Sequence, residues 1–288
     1  MFTSSLWLLS SLSLATCANI VWDGRVPANA TLADFDSETG IFDPDNVKGQ
    51  NLSFSKIVRF AEGGASLFDT PVKAKPIEVT IDDKSIFAPG GSNPQTAVRR
   101  MELVPNPATS PADNATSTGV KTLHFSIKPS AERPLNISHE YLMVFMERAD
   151  FSANQVSLKT GTLIGSDGAT KNDLQILGNS ANGSTPLFST PFTEGVFTNF
   201  ALLMDFNKNT VQVFSSTGNN ALVKQTEALP NDLSGNGQLH FGLNKNPTNP
   251  GADSLRSGFQ ASGILEGVIY GGILVADSAN GSRAQWRV

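Results

Sequence analysis

Residues 139–155, HEYLMVFMERADFSANQ, read as one long strand. Side chains two apart on a strand share a face. Strict alternation therefore puts Tyr141, Met143, Phe145 and Glu147 on one side, with Glu140, Leu142, Val144 and Met146 on the other. Both sides are largely apolar, as expected of a central strand. Because Glu140 and Glu147 fall on opposite sides, this pattern admits at most one of them to any single site.

The rest of the chain repeats the pattern. Ile77–Ile81 alternates apolar and polar, as do Gly119–Lys128 and Gln238–Asn244. Further strands are expected at Ile20–Trp22, Ser55–Phe60, Thr96–Val104, Gln155–Thr162, Asp173–Leu177, Leu187–Ser189, Phe197–Phe206, Thr210–Ser215, Asn219–Ala228 and Gly267–Ala276. Asn207-Lys208-Asn209 joins two of these as a hairpin, since Asn tolerates positive φ. Residues 27–70 are loop-rich, with Phe35, Phe42, Phe54, Phe60 and Phe68 irregularly spaced, and read as a wrapping over the sheets. About a dozen short strands joined by Gly, Pro and Asn turns make an all-β, single-domain β-jelly roll, a concanavalin-like sandwich with a cleft on its concave face.

Composition narrows the function. Met1–Ala18 carries no charge, has an apolar middle and ends in small residues, which is the pattern of a secretory signal peptide, leaving 19–288 as the mature domain. Cys17, the only cysteine, lies inside it, so no disulfide is expected; roughly 270 residues can bury enough apolar surface without one. Six sequons, at Asn29, Asn51, Asn114, Asn136, Asn182 and Asn280, suit a secreted, extracellular glycoprotein. A net charge of −5 without a basic cluster argues against nucleic acid and anionic membranes, and no apolar run is long enough to span a bilayer. A monomer is expected.

Three strands carry informative polar residues. Arg100 and Glu102 share a face, and a guanidinium beside a carboxylate keeps it ionised and fixed, although a surface ion pair would have the same spacing. On Gln238–Asn244 the apolar Leu239, Phe241 and Leu243 point inward, leaving Gln238, His240 and Asn244 outward, where they could bond hydroxyls or move a proton. On the opening strand Glu147 shares its side with Tyr141 and Phe145, the better aromatic platform; Glu140 is the alternative carboxylate. His124 lies on a polar face and belongs either to the same groove or to the packing. There is no phosphate loop, nucleophile elbow or zinc set, and no spacing argues for calcium, so neither metal nor cofactor is expected.

Several stretches together resemble a known family. They are Val21–Arg25, Val47-Lys48-Gly49, Arg99–Leu103, Gly119–His124, Arg133–Tyr141, Ala149–Gln155, Gly237–Gly242 and Glu266–Gly272. The chain resembles, over nearly its whole mature length, the fungal glycoside hydrolase family 131 of secreted β-glucanases. The resemblance implies a jelly roll that hydrolyses β-glucans with 1,3, 1,4 and 1,6 linkages, cellulosic material included. It also implies an Arg-x-Glu pair at Arg100 and Glu102, a histidine at His240, and a second glutamate at Glu140 or Glu147. The expected mechanism is inverting, with Glu102 as base and Glu147 as acid. Two other readings compete: a polysaccharide lyase acting on uronic acids, using Arg100 with His240 or Tyr141, and a non-catalytic glucan-binding lectin.

Overall fold

A computed structural model describes residues 19–109 and 115–279. The proposed signal segment and the sequons at Asn114 and Asn280 lie outside these residues. Among the described residues there are fifteen strands: β1 (Asn19–Asp23), β2 (Val58–Phe60), β3 (Ile77–Asp82), β4 (Arg99–Leu103), β5 (Val120–Pro129), β6 (Glu140–Glu147), β7 (Asn154–Gly161), β8 (Asp173–Leu177), β9 (Pro186–Pro191), β10 (Thr198–Asp205), β11 (Thr210–Thr217), β12 (Val223–Lys224), β13 (Leu229–Pro230), β14 (Gln238–Lys245) and β15 (Leu265–Asp277).

They form two antiparallel sheets packed face to face, the jelly-roll sandwich that the alternation implies. One sheet runs β12-β11-β10-β5-β15-β3-β2, with β1 beside β15 and β13 beside β11; the other runs β4-β14-β6-β7-β8-β9. Met101, Leu103, Phe241 and Leu243 from the six-stranded sheet share one core with Leu123, Phe125, Ile127 and Phe200 from the larger one. Burying each such side chain contributes ~1.5–3 kcal/mol. The wrapping segment joins this core through Phe35, Phe42 and Phe54, with Phe42 edge-on to Trp22 at 6.0 Å.

Three segments depart from the expected strands. Ser55–Phe60 begins as a helical turn, Phe54–Ile57, because Phe54, Ile57 and Val58 have the i, i+3, i+4 spacing that buries one helical face. The strand expected from Thr96 starts only at Arg99, where pairing with Lys245 of β14 begins; Ala97 N donates instead to Leu255 O. Asn219–Ala228 yields only the two-residue edge strand β12, whose Val223 is exposed.

A fourth departure, the one that matters most, lies in β6. Tyr141 and Met143 enter the core, but so do Val144 and Met146. Two adjacent residues, Met143 and Val144, thus point the same way, and the pairing with β7 shifts between Leu142 and Val144. A β-bulge of this kind adds one residue and reverses the alternation beyond it. Glu140 and Glu147 consequently share the outer face of the six-stranded sheet, contrary to the strict alternation. The bulge is held from the opposite sheet: Tyr270 Oη lies 2.7 Å from Gly242 O and 3.0 Å from Met143 O.

Candidate active site

β4, β14 and β6 are adjacent strands, and their outward side chains meet. Arg100 Nε donates to Glu102 Oε1 at 2.6 Å, and its Nη2 contacts the same oxygen. Glu102 Oε2 lies 3.0 Å from His240 Nδ1. Nε2 of the same imidazole, which makes no hydrogen bond, faces Glu147 Oε2 at 3.6 Å. The three groups form a line with a graded exposure: Glu102 is wholly buried, the His240 side chain is 2% exposed and that of Glu147 is 23% exposed. Only its Glu147 end reaches solvent.

The local sequence explains the line. His240 pairs with Phe145 across the β14–β6 ladder, so the two rings stack at 4.3 Å with an interplanar angle of 8°. That stacking fixes the imidazole plane. Gly242 pairs with Glu102, and a Cβ there would lie 2.0 Å from Met101 O, so only glycine lets β14 approach β4 this closely.

Electrostatics hold Glu102 charged. Burial alone would raise its pKa. The Arg100 guanidinium, the His240 hydrogen bond and Lys48 outweigh burial and keep the carboxyl well below the usual carboxylate range. Arg100 is itself held by Gln95 Oε1 at 3.3 Å and lies over the Phe87 ring.

The other expected site residues divide. Gln238 pairs with Glu147 and is exposed, and Asn244 pairs with Arg100 on the same outer face. Glu140 also faces outward, but seven residues from Glu147 along the strand, or about 20 Å. There it accepts from Lys159 Nζ at 2.9 Å, Asn246 Nδ2 at 2.7 Å and Ile164 N at 3.0 Å. These bonds tie it to a loop and a neighbouring strand, away from Glu102.

Two aromatic assignments are corrected. Tyr141 is not a cleft residue: it lies before the bulge, fully buried between the sheets, and its hydroxyl donates to Glu266 Oε2 at 2.6 Å. Lys245 Nζ completes that buried cluster on Glu266 Oε1 at 2.6 Å. Phe145 does face the site, but at 2% exposure it supports His240 and offers no open platform. His124 lies on the far face of the other sheet, beneath Phe68, away from Glu102 and His240. One residue escaped the strand reading altogether. Lys48, in the loop before β2, places Nζ 3.6 Å from Glu102 Oε2. Its only signal was membership of the resembling Val47-Lys48-Gly49 stretch.

Among the described residues, no group of three or more His, Cys, Asp or Glu side chains is placed to hold a metal ion, and no helix is long and apolar enough to cross a membrane. The fold is shared with two solved fungal proteins. The family 131 β-glucanase catalytic domain of Podospora anserina is 23% identical, covering 90% of this chain and 96% of its own, with a TM-score of 0.70. The family 131 catalytic domain of Coprinopsis cinerea is also 23% identical, covering 90% and 94%, with a TM-score of 0.66. No match was found among curated proteins. The family model described as the glycoside hydrolase 131 catalytic N-terminal domain matches residues 20–281, and the chain therefore belongs to glycoside hydrolase family 131.

Proposed function

We propose that this glycoside hydrolase is a secreted, monomeric β-glucanase that cleaves 1,3-, 1,6- and 1,4-linked β-glucans, cellulosic material included, with inversion at the anomeric carbon. The substrate class rests on family membership and on the neighbouring Podospora anserina β-glucanase. The observation that carries the mechanism is the Glu102–His240–Glu147 line with its single exposed end.

Glu147 is the carboxyl that reaches solvent, and as general acid it protonates the glycosidic oxygen. Glu102 is enclosed by Arg100, Lys48 and His240, so it acts as a base through the imidazole. With Nδ1–H donated to Glu102, Nε2 is the nitrogen left to accept a proton from water, and the anion behind it stabilises the imidazolium. Retention would require a carboxylate nucleophile at the sugar carbon, with the two carboxyls ~5–5.5 Å apart. Glu102 lies behind the imidazole and cannot serve as that nucleophile. Inversion further requires that the bound glucan part Glu147 from the imidazole, now 3.6 Å away, and leave room for water on the opposite face of the sugar.

The lyase reading loses its tyrosine, because Tyr141 is buried on the core side and bonded to Glu266. Reducing-sugar release from β-glucans of defined linkage, with the product anomer followed by proton NMR, tests the proposal. Initial accumulation of the α-anomer is expected; initial β-anomer would exclude inversion. An ultraviolet-absorbing unsaturated product would point to a lyase, and binding without soluble product to a lectin.

A further inference from the structure

Lys48 occupies an unusual position for a loop lysine. Its backbone φ is +68°, in the left-handed region that side chains other than Gly and Asn seldom adopt. Such strain persists only where surrounding contacts over-determine it, and it concentrates at functional sites. The contacts are visible. Asp43 N donates to Val104 O at 2.9 Å, pinning the loop to the chain just beyond Glu102. Asp43 Oδ2 accepts from Asn46 Nδ2 at 2.8 Å, and Asn46 Oδ1 accepts from Lys48 Nζ at 2.7 Å.

This chain of bonds delivers the ammonium to one particular atom. Lys48 Nζ lies 3.6 Å from Glu102 Oε2, the oxygen bonded to His240, whereas Arg100 engages Oε1. The Lys48 side chain is 13% exposed and sits 5.2 Å from the centre of the Phe87 ring, which also carries Arg100. One aromatic thus supports two cations, one for each carboxylate oxygen.

We propose that Lys48 is a positioning residue of the hydrolytic site, a second cation that holds Glu102 Oε2 on His240 Nδ1 and so aims Nε2 toward Glu147. The inference rests on the proposed roles of Glu102 and His240. Without Lys48, Oε2 keeps only its bond to His240, so the carboxylate turns more freely about its Arg100 anchor and the imidazole is held less firmly. An exposed ion pair would have little such leverage; this one adjoins a carboxylate without solvent contact.

The test is Lys48→Met against Lys48→Arg on a soluble β-glucan, with melting temperature measured in parallel. Lys48→Met is expected to lower kcat roughly ten- to hundredfold, as a misoriented catalytic group does, with KM changed less than about twofold. Lys48→Arg, which keeps the charge, should recover most of the loss. Wild-type kcat in Lys48→Met, or Lys48→Arg no better than Lys48→Met, overturns the proposal. Glu102→Gln assayed alongside separates the two levels: if it is inactive while Lys48→Met is fully active, only the role of Lys48 fails. A fully active Glu102→Gln overturns the site assignment beneath it.

Discussion

Glu102 Oε2 and His240 Nδ1 are 3.0 Å apart in a setting without solvent contact, so the carboxylate and the imidazole behave as one unit. The pair also bears on folding. The folded-state pKa of Glu102 is depressed relative to its usual 4.5. An unfolded Glu102 therefore takes up a proton at a pH where the folded one does not. The stabilisation is fully present above about pH 4.5 and is lost progressively as the pH falls below it. Glu102→Gln leaves Arg100 and Lys48 beside a neutral amide, and removing one partner of a buried pair costs ~3–5 kcal/mol. Thermal unfolding should show that deficit at pH 6 to 7, and the gap to wild type should narrow below pH 4.5. An unchanging gap would mean that the charge of Glu102 is not what is lost.

The two glutamates of β6 separate cleanly by position. Glu147→Gln removes the only carboxyl of the line that meets solvent, and general acid catalysis contributes typically 10²–10⁴-fold. A fall of that order in kcat, with little change in melting temperature, is expected. Glu140→Gln instead disturbs bonds to Lys159, Asn246 and Ile164. It should lower the melting temperature while leaving kcat per folded molecule within a few-fold of wild type. Reducing-sugar assays at several glucan concentrations, paired with calorimetry, distinguish the two; the reverse pattern would reassign the second carboxylate.

Much of this was legible from local alternation. On β4 and β14 the period of two is unbroken, so Arg100, Glu102 and His240 could be assigned a common outward direction from the sequence. On β6 the same rule failed, because no residue type near Met143-Val144 announces a bulge and the Tyr270 hydroxyl that accommodates it comes from 127 residues away. Tyr141 was misplaced by that same single-residue shift. Lys48 was invisible for a different reason: it sits on a loop, where periodicity carries no information, and reaches Glu102 only through tertiary packing.

His124 offers a pH test remote from the site. Burial pushes its pKa down to about 3, against an ordinary 6.5. Between those values the unfolded chain binds a proton that the folded chain refuses, so stability falls as the pH drops from about 6.5 toward 3. Replacing the imidazole with a group that does not titrate, in His124→Asn, should flatten this part of the profile. Melting temperatures of both proteins from pH 7 to pH 4 provide the check, with a steeper fall expected for wild type. Parallel curves would show that the burial of His124 does not contribute to acid sensitivity.

Tyr270 links the fold to the chemistry most directly. Its phenol is buried between the sheets, with the hydroxyl 2.7 Å from Gly242 O and 3.0 Å from Met143 O. Gly242 is the cross-strand partner of Glu102, and Met143 is one of the two residues that reverse the alternation of β6. Tyr270→Phe keeps the ring and removes only the donor, so the cavity term is small. The loss of a buried donor leaves both carbonyls without that partner, at a cost of ~1–3 kcal/mol. If the hydroxyl stabilises the bulge, Glu147 also loses the register that brings it to His240. Tyr270→Phe should then lower kcat beyond what its fraction folded explains, whereas Tyr141→Phe, which disturbs the separate Glu266 cluster, should destabilise without that excess. Assays well below both melting temperatures make the comparison. Equal activity per folded molecule in the two variants would show that the bulge holds without its tyrosine, through the packing of Met143 and Val144 alone.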